Sequence, residues 1–243
     1  MASIFVVTPT YNERDNLEKL VKKIIGAGIA SLKIIVVDDN SPDGTGELAE
    51  KLAKIYPLKV LHRANKSGLG TAYVHAFKKI LSGEFNDGGL PDYIVQIDAD
   101  LSHDPEVIMR MLAKMPECDV VLGSRYIPGG EIKNWGFLRR LISRFGNIYA
   151  RLILALPHQD LTGGFKCWKK EALAAIDWNS LSSIGYNFQI ETTYRAYKKG
   201  FKICEIPIIF TERKTGVSKF NPKIILESFW KVLVLRFKNR KNK

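Results

Sequence analysis

The sequence of 243 residues has no long, uninterrupted apolar run, and this lack bears on how the protein can meet a membrane. A helix that spans a bilayer needs about 18 or more consecutive residues that are mostly apolar. The densest apolar stretch, near the end of the chain, is interrupted by Lys231 and Arg236. We therefore predict that no segment of this sequence crosses a membrane.

Cysteine is scarce, with only Cys118, Cys167 and Cys204 in the whole chain. These residues are far apart, form no CxxC pair and have no histidine at zinc-site spacing, which argues against a disulfide framework and a structural zinc. The pattern predicts three reduced thiols in the core and a cytoplasmic protein.

The glycine-rich turn G-x-G-x-x-G is also missing. In dinucleotide-binding folds this turn follows the first strand and lets a pyrophosphate approach the backbone. Here the corresponding turn, residues 8–16, reads TPTYNERDN. We therefore expect that the protein is not an NAD-dependent dehydrogenase.

Negative charge is in deficit: 37 basic and 25 acidic residues give a net charge of +12. The excess lies in two stretches, since residues 133–170 carry eight basic residues and one acid, and residues 212–243 carry ten and two. Such stretches favour an anionic partner. The sequence has no groove-reading helix motif and no exposed aromatic sheet motif, so we predict that this partner is not a nucleic acid.

The first half of the sequence alternates short apolar runs with amphipathic stretches. The predicted strands cover residues 3–8, 33–37, 59–61, 92–97 and 119–122. The predicted helices cover residues 17–25, 45–56 and 70–81, and another begins at Pro105. Continuous apolar strands separated by helices predict an α/β fold, with a mainly parallel sheet covered by helices on both faces.

After about residue 125 this alternation stops. Apolar residues at helical spacing predict a long basic amphipathic helix over residues 137–156, and a final helix begins at Pro222. We expect one catalytic domain, residues 1–220, followed by a basic amphipathic helix and tail, residues 221–243. The first of these helices is predicted either to lie on a membrane surface or to pack on the core. For the last helix we favour a membrane surface or a membrane-anchoring partner subunit.

Acidic side chains follow the predicted strand that ends near Ile97. Asp98 and Asp100 are two residues apart, so in an extended chain they project to the same side, about 6.6 Å apart. Carboxylate oxygens select hard cations, and such an ion can carry a diphosphate. The pair therefore predicts a site for Mg²⁺ or Mn²⁺. Because the carboxyl ends of parallel strands share one edge, Asp39 and Glu13 should lie near it.

Six motifs in order resemble the family 2 glycosyltransferases and, within them, the dolichyl- or polyprenyl-phosphate mannose synthases. They are VTPTYNE (7–13), VVDDNSPDGT (36–45), IDADLSHDP (97–105), GSRY (123–126), LTGGFK (161–166) and ERKTGVSKF (212–220). The resemblance implies a GT-A nucleotide-sugar fold, GDP-mannose as donor, a divalent cation and a polyprenyl or dolichyl phosphate acceptor.

The same resemblance implies roles for individual residues. The guanosine pocket would be formed by Pro9, Tyr11, Glu13, Val37 and Asp39. The diphosphate and metal would be held by Asp98, Ala99 and Asp100, with both aspartates as metal ligands. Phosphate groups would contact Arg125, Arg213 and Lys219, whereas Arg139 would face the acceptor phosphate. The residues with implied catalytic roles are Asp100, Arg125 and Arg139. This chain has Ser102 where some family members have a glutamine as a further metal ligand.

The implied reaction transfers mannose to a lipid phosphate with inversion at the sugar carbon, by an enzyme bound peripherally to the cytosolic face of a membrane. A phosphate acceptor is already ionised at neutral pH, so it needs no catalytic base. An alternative is the transfer of glucose or GlcNAc from UDP to the same kind of acceptor, because the sequence does not separate the nucleobases.

Overall fold

Apolar runs in the first half of the chain form parallel strands, and a helix follows most of them. The structure, a computed structural model, describes residues 1–85, 89–181, 183, 185–212 and 222–238, with the backbone alone for residues 186, 222–227 and 238. The strands are β1 (Ile4–Thr10), β2 (Leu32–Asp38), β3 (Leu58–His62), β4 (Tyr93–Gln96), β5 (Val120–Ser124), β6 (Glu131–Lys133), β7 (Lys166–Lys169), β8 (Ile203–Pro207) and β9 (Ile209–Thr211). The helices are α1 (Arg14–Gly26), α2 (Thr45–Ala53), α3 (Leu69–Leu81), α4 (Val107–Lys114), α5 (Phe137–Leu154), α6 (Lys170–Ala174), α7 (Tyr186–Lys198) and α8 (Pro222–Lys238).

Seven of these strands form one sheet in the order β3-β2-β1-β4-β7-β5-β8. Strand β7 runs antiparallel to both of its neighbours, and the other pairs are parallel. Strands β6 and β9 form a separate parallel pair. The predicted α/β architecture is confirmed, and β1, β2 and β4 place their carboxyl ends side by side at one edge.

Alternation along each strand fills two apolar layers, one on each face of the sheet. In β2, Ile34 and Val36 belong to the layer covered by α1 and α2. Ile35 and Val37 point the opposite way, into the layer covered by α3. All four side chains are fully buried, as a parallel sheet with helices on both faces requires.

The helices of the second half build a third apolar cluster beside the sheet. Val232 and Leu235 of α8 pack with Ala150 and Leu154 of α5 and with Tyr194 of α7. One face of each amphipathic helix is therefore covered by protein. Neither helix, nor any other within the described ranges, has the length and apolarity needed to cross a membrane.

The prediction of three reduced thiols is wrong for two of the cysteines. Cys118 and Cys204 form a disulfide, with their Cα atoms 6.0 Å apart. Cys118 lies just before β5, and β5 pairs in parallel with β8 so that Val121 faces Cys204. The sheet thus joins residues 86 positions apart, which spacing in the sequence does not indicate. Cys167 remains a free, buried thiol, and burial raises its pKa.

Candidate active site

A cavity of about 490 Å³ lies at the edge of the sheet where β1, β2 and β4 end. The segments that follow these three strands contribute side chains to its wall. Among the residues singled out in the sequence, those that line it are Pro9, Tyr11, Glu13, Asp39, Asp98, Ala99, Asp100, Arg125 and Arg139. The register of three adjacent parallel strands therefore brings together Pro9 and Asp100, which are 91 positions apart in the chain.

Of the other predicted residues, the structure describes Val37, which is not in this wall. The side chain of Val37 is fully buried in the core under α3, because residues alternate along β2 and this one points away from the strand end. The side chain therefore does not line the cavity, and the place of Val37 beside a nucleoside stays a prediction. Arg213 and Lys219 lie outside the described residues.

The acidic end of the cavity is formed by Asp98 and Asp100. Asp98 Oδ1 is buried and has no hydrogen-bond partner among the described residues, while Oδ2 lies 3.5 Å from His103 Nε2. Asp100 Oδ1 accepts a hydrogen bond from the backbone N–H of Ser102 at 3.1 Å. A Cβ atom at Gly164 would lie 3.0 Å from Asp98 Oδ2, so the glycine allows the backbone to approach this carboxylate closely.

Tyr73 of α3 lies next to this acidic end of the cavity. Its hydroxyl donates to the carbonyl oxygen of Ile97 at 3.2 Å. Burial, and then the negative charges of Asp98 and Asp100, raise the pKa of the Tyr73 phenol well above its usual value. The phenol therefore stays neutral at physiological pH and can act as a donor beside the two carboxylates.

The end of the cavity near β1 and β2 combines an aromatic ring with paired charges. The ammonium group of Lys66 lies 3.5 Å from the centre of the Tyr11 ring, in cation–π contact. Asp39 Oδ1 accepts a 2.6 Å hydrogen bond from Arg63. Glu13 accepts a 2.8 Å bond from the side-chain amide of Asn16. Lys66 and Arg63 were not predicted, because both follow the short third strand in a loop without a motif.

The opposite end of the cavity is basic, and its arginines already have acidic partners. Arg125 binds Asp160 through two parallel hydrogen bonds of 2.7 and 2.8 Å. Arg139 forms an ion pair with Glu212 and lies 4.1 Å from the centre of the Trp135 ring. The acidic partners were not predicted, because each lies more than 30 residues away in the chain.

Helix α5 contributes to this end with one face and exposes another. Ile142, Gly146 and Tyr149 line the cavity, and so does Phe229 of α8. The outward face of α5 carries large apolar side chains that solvent reaches, with Phe137 82% and Leu152 75% exposed. The others are Leu138, Leu141, Phe145 and Ile148. On α8, Trp230, Val234 and Phe237 are exposed as well. We call these nine residues the apolar face.

The model of the family described as "Glycosyl transferase family 2" matches residues 5–177 of this chain. The chain belongs to this family. Its sheet order, helices and strand-edge cavity are those of the GT-A fold of nucleotide-sugar transferases.

Two relatives cover most of this glycosyltransferase. A polyprenol monophosphomannose synthase from Mycolicibacterium smegmatis is 42% identical over 230 residues, which are 93% of this chain and 84% of the relative. An undecaprenyl-phosphate mannosyltransferase from Micrococcus luteus is 39% identical over 226 residues, 93% of this chain and 90% of that one.

A solved structure shows the same fold at low sequence identity. A mannosyltransferase from Pyrobaculum calidifontis, in complex with GDP-Man and Mn²⁺, superposes with a TM-score of 0.62 and is 18% identical. The match covers 100% of this chain and 65% of that chain.

Proposed function

We propose that this glycosyltransferase transfers mannose from GDP-mannose to the phosphate of a polyprenyl (dolichyl-type) monophosphate, with inversion at the sugar carbon. The observation that carries the proposal is one cavity whose acidic end meets the strand edge and whose basic end meets α5 beside the apolar face. The reaction moves mannose from a nucleotide diphosphate, which leaves as GDP, to an acceptor that is both anionic and lipidic, and the cavity has an end suited to each. The names of the two relatives support the same reaction.

The donor would bind at the acidic end. Tyr11 offers a ring for stacking on the base, and Asp39 and Glu13 offer carboxylates to N–H groups of guanine. Pro9 and Ala99 complete the wall with apolar surface. The carboxylates favour guanine, which presents a ring N–H and an amino group side by side, whereas uracil presents a single N–H. UDP-glucose or UDP-GlcNAc as donor is the alternative that the assay below separates.

The residues at the acidic end fit a divalent cation, Mg²⁺ or Mn²⁺. Asp98 and Asp100 would hold it, and the buried Oδ1 of Asp98, which no described residue hydrogen-bonds, is an oxygen that needs such a partner. Within the described ranges no group of three or more His, Cys, Asp or Glu residues forms a complete site, so the diphosphate would provide further ligands. When bound, the cation offsets the negative charge that develops on the leaving GDP.

The acceptor needs positioning and not deprotonation. The second pKa of a phosphate monoester is about 6, so the attacking oxygen is already anionic at neutral pH. Arg139 lines the cavity and would hold this phosphate, with Arg213 and Lys219 adding positive charge. Glu191, the one carboxylate of α7, is 1% exposed and bound to Arg195. Its buried position agrees with a reaction that uses no base from this helix.

Arg125 would act at the same end of the cavity. Both of its terminal bonds to Asp160 are short, and Asp160 Oδ1 also accepts the N–H of Gly163 at 3.1 Å. We infer that the arginine fixes the turn containing Gly163 and Gly164 against Asp98. Asp160 offsets part of the positive charge of Arg125, so only the remaining charge would contribute to phosphate binding.

The apolar face would place the enzyme on a membrane surface as a peripheral protein. It lies beside the cavity, and the exposed cations Arg140 and Arg144 of α5 would attract anionic lipids. A lipid-linked acceptor could then present its phosphate to Arg139 without leaving the bilayer. A membrane-anchoring subunit is another partner that could cover α8. The cytosolic side of the membrane stays a prediction, since the disulfide removes the argument from reduced thiols.

The test is a transfer assay with vesicles that contain a polyprenyl phosphate. GDP-mannose, UDP-glucose and UDP-GlcNAc are supplied separately, each with Mg²⁺ or Mn²⁺, and the lipid product is measured. We expect product from GDP-mannose at a rate at least roughly 100-fold above either UDP-sugar. A polyprenol without phosphate is the matched acceptor control and should give no product. Turnover with UDP-sugars alone would contradict the proposed donor.

A further inference from the structure

Asn187, in the first turn of α7, lines the cavity but has no part so far in the proposed reaction. The residue is 5% exposed. Its side-chain oxygen, Oδ1, is buried and has no hydrogen-bond partner among the described residues. Buried polar atoms nearly always have a partner, because leaving one unpaired costs folding free energy. The wall of the cavity therefore contains an acceptor that a bound ligand could satisfy.

The helix itself does not explain an asparagine at this position. The N-cap of α7 is Gly185, and Asn187 follows two positions later, inside the first turn. Asparagine is useful at the N-cap, where its side chain bonds a backbone N–H, but inside a helix it is a weak helix former. Leucine has a similar size and would fill the same space without an unpaired polar atom. A contact with a ligand would account for the asparagine.

Side-chain contacts hold the start of α7 beside the acidic end of the cavity. Lys166 of β7 donates a hydrogen bond to the carbonyl oxygen of Gln189 at 2.7 Å, and Gln96 of β4 donates to the side chain of Gln189 at 3.5 Å. The ring of Phe188 stacks on Tyr73 of α3, with ring centres 5.9 Å apart. The first turn of α7 is therefore fixed against β4 and β7.

The order of the strands along this edge matches the order of the groups in a nucleotide sugar. Four neighbouring strands have the order β2-β1-β4-β7. Asp39 follows β2 and Tyr11 follows β1, where the nucleoside would bind. Asp98 follows β4, where the diphosphate would bind. Asn187 comes next, on the side of β7. A nucleotide sugar has nucleoside, diphosphate and sugar in the same order, so Asn187 lies where the sugar is expected.

The chemistry of the unpaired oxygen also favours the sugar. The phosphates of both substrates are anionic at neutral pH and have almost no proton for Asn187 Oδ1 to accept. A polyprenyl chain has no polar hydrogen. A sugar hydroxyl donates a hydrogen bond and accepts one as well, so it can pair with either atom of a side-chain amide.

We propose that Asn187 binds a hydroxyl group of the donor's mannose and so distinguishes the nucleotide sugar from the free nucleotide. This inference rests on the proposed function and adds a residue to its donor site. Ribose also has hydroxyls, but ribose is present in GDP and in GDP-mannose alike. A comparison of these two ligands therefore separates a contact with the sugar from a contact with the nucleotide.

The test is calorimetry of the full-length protein with GDP and with GDP-mannose, each with Mn²⁺ and without acceptor. Asn187→Leu should weaken GDP-mannose binding roughly tenfold and GDP binding less than about twofold. Its melting temperature should not fall, because the leucine removes an unpaired buried atom. Asn179→Leu, at an exposed position after α6, is the control and should change neither affinity. Asn187→Ala, which cannot crowd the wall, repeats the test if leucine disturbs folding.

Analogues of GDP-mannose that each lack one sugar hydroxyl identify the partner. The wild-type protein should bind one of them roughly tenfold more weakly than GDP-mannose. Asn187→Leu should bind that analogue and GDP-mannose equally, because the contact is already lost in the variant.

Unchanged GDP-mannose binding in Asn187→Leu would overturn the assignment. Equal losses for GDP and GDP-mannose, or unfolding of both variants, would also overturn it and indicate a structural role. Mannose transfer by the wild-type protein would in each case leave the proposed function standing. If the wild-type protein neither binds GDP-mannose nor transfers mannose, the proposed function fails together with this inference.

Discussion

The two ends of the cavity are built in different ways. At the acidic end, the backbone of three adjacent strands sets the positions of Asp98, Asp100 and Asp39, and the core beneath them is closed. At the basic end, Arg125 pairs with Asp160 and Arg139 with Glu212, and α5 beside them exposes large apolar side chains.

The donor end of the cavity is closer to a ligand-binding arrangement than the acceptor end. At the donor end, Asp98 Oδ1 is buried and has no hydrogen-bond partner among the described residues, so a cation could bind it without breaking an existing hydrogen bond. At the acceptor end the guanidinium of Arg139 is already neutralised by Glu212, so an acceptor phosphate must displace a carboxylate. The apolar face, in turn, lacks a covering partner among the described residues.

The largest effect is expected from a substitution that changes the charge of the acidic end alone. We expect Asp100→Asn to lower mannose transfer by roughly 10³-fold, because the amide keeps the shape but loses the charge that holds the cation. Transfer is measured with saturating donor, and the melting temperature and vesicle binding should stay unchanged. Asp104→Asn, an exposed neighbour, is the control. Near-normal transfer by Asp100→Asn would rule out the metal assignment.

The second prediction concerns the buried pair that supports the basic end. Asp160→Asn should cost about 3–5 kcal/mol in the free energy of unfolding, since it removes the carboxylate charge that faces the buried Arg125 guanidinium. Denaturant unfolding measures this value. Asp15→Asn, on the exposed surface of α1, should change it by less than about 1 kcal/mol. A loss at Asp160 as small as that at Asp15 would show that the pair contributes little.

The same pair predicts a pH dependence. Burial by itself raises the pKa of the Asp160 carboxyl, but Arg125 outweighs burial and holds the pKa below its usual value. A lowered pKa in the folded state means that the contribution to stability is complete above the unfolded value, about 3.9, and is lost as the pH falls through the folded value. The wild-type protein should therefore lose stability more steeply than Asp160→Asn below about pH 4.

A third prediction tests the apolar face without touching the acidic end. Leu141→Glu and Phe145→Glu should each weaken binding to anionic vesicles by roughly tenfold, because each removes apolar surface worth about 1.5–3 kcal/mol when buried in lipid. Co-sedimentation measures this binding. Transfer to a short-chain, water-soluble polyprenyl phosphate should be unchanged. Ile55→Glu replaces another exposed apolar residue, located after α2, and is the control. Vesicle binding that survives both α5 substitutions would mean that this face meets something other than a membrane.

The smallest expected effect concerns the ion pair at the acceptor end. Glu212→Gln should lower the acceptor KM about 2- to 5-fold, because it frees Arg139 from a partly exposed pair worth about 0.2–1 kcal/mol. Steady-state kinetics at saturating GDP-mannose would show this change. Glu131→Gln, an exposed carboxylate on β6, should leave the KM unchanged. An acceptor KM that rises in Glu212→Gln would mean that the carboxylate positions Arg139 and does not compete for it.

The sequence predicted the first five strands within a few residues, because continuous apolar runs bounded by turns have few alternative interpretations. It missed β7, whose four residues begin and end with lysine. Lys166 is fully buried there, and its ammonium is bonded to the carbonyl of Gln189 and the hydroxyls of Thr192 and Thr193. Burial lowers its pKa to about 7. Such partners come from a distant helix, and local pattern cannot reveal them.

The residues of the candidate site also separate into those that local sequence predicts and those that depend on distant parts of the chain. Residues that follow strands β1, β2 and β4 were predicted because parallel register fixes where they meet. The partners Asp160 and Glu212 were missed, since they depend on how the second half folds back. The direction of the Val37 side chain was not predicted either, because neighbouring residues of a buried strand point to opposite faces and a motif does not show which face.

We propose that the acidic end of the cavity holds the cation and the donor diphosphate. Anomalous scattering from crystals grown with GDP-mannose and Mn²⁺ tests it most directly. The account predicts a single manganese peak beside Asp98 and Asp100, in contact with the diphosphate, with the mannose directed toward Arg139. A nucleotide and a manganese ion bound elsewhere, with both carboxylates facing away from them, would contradict it.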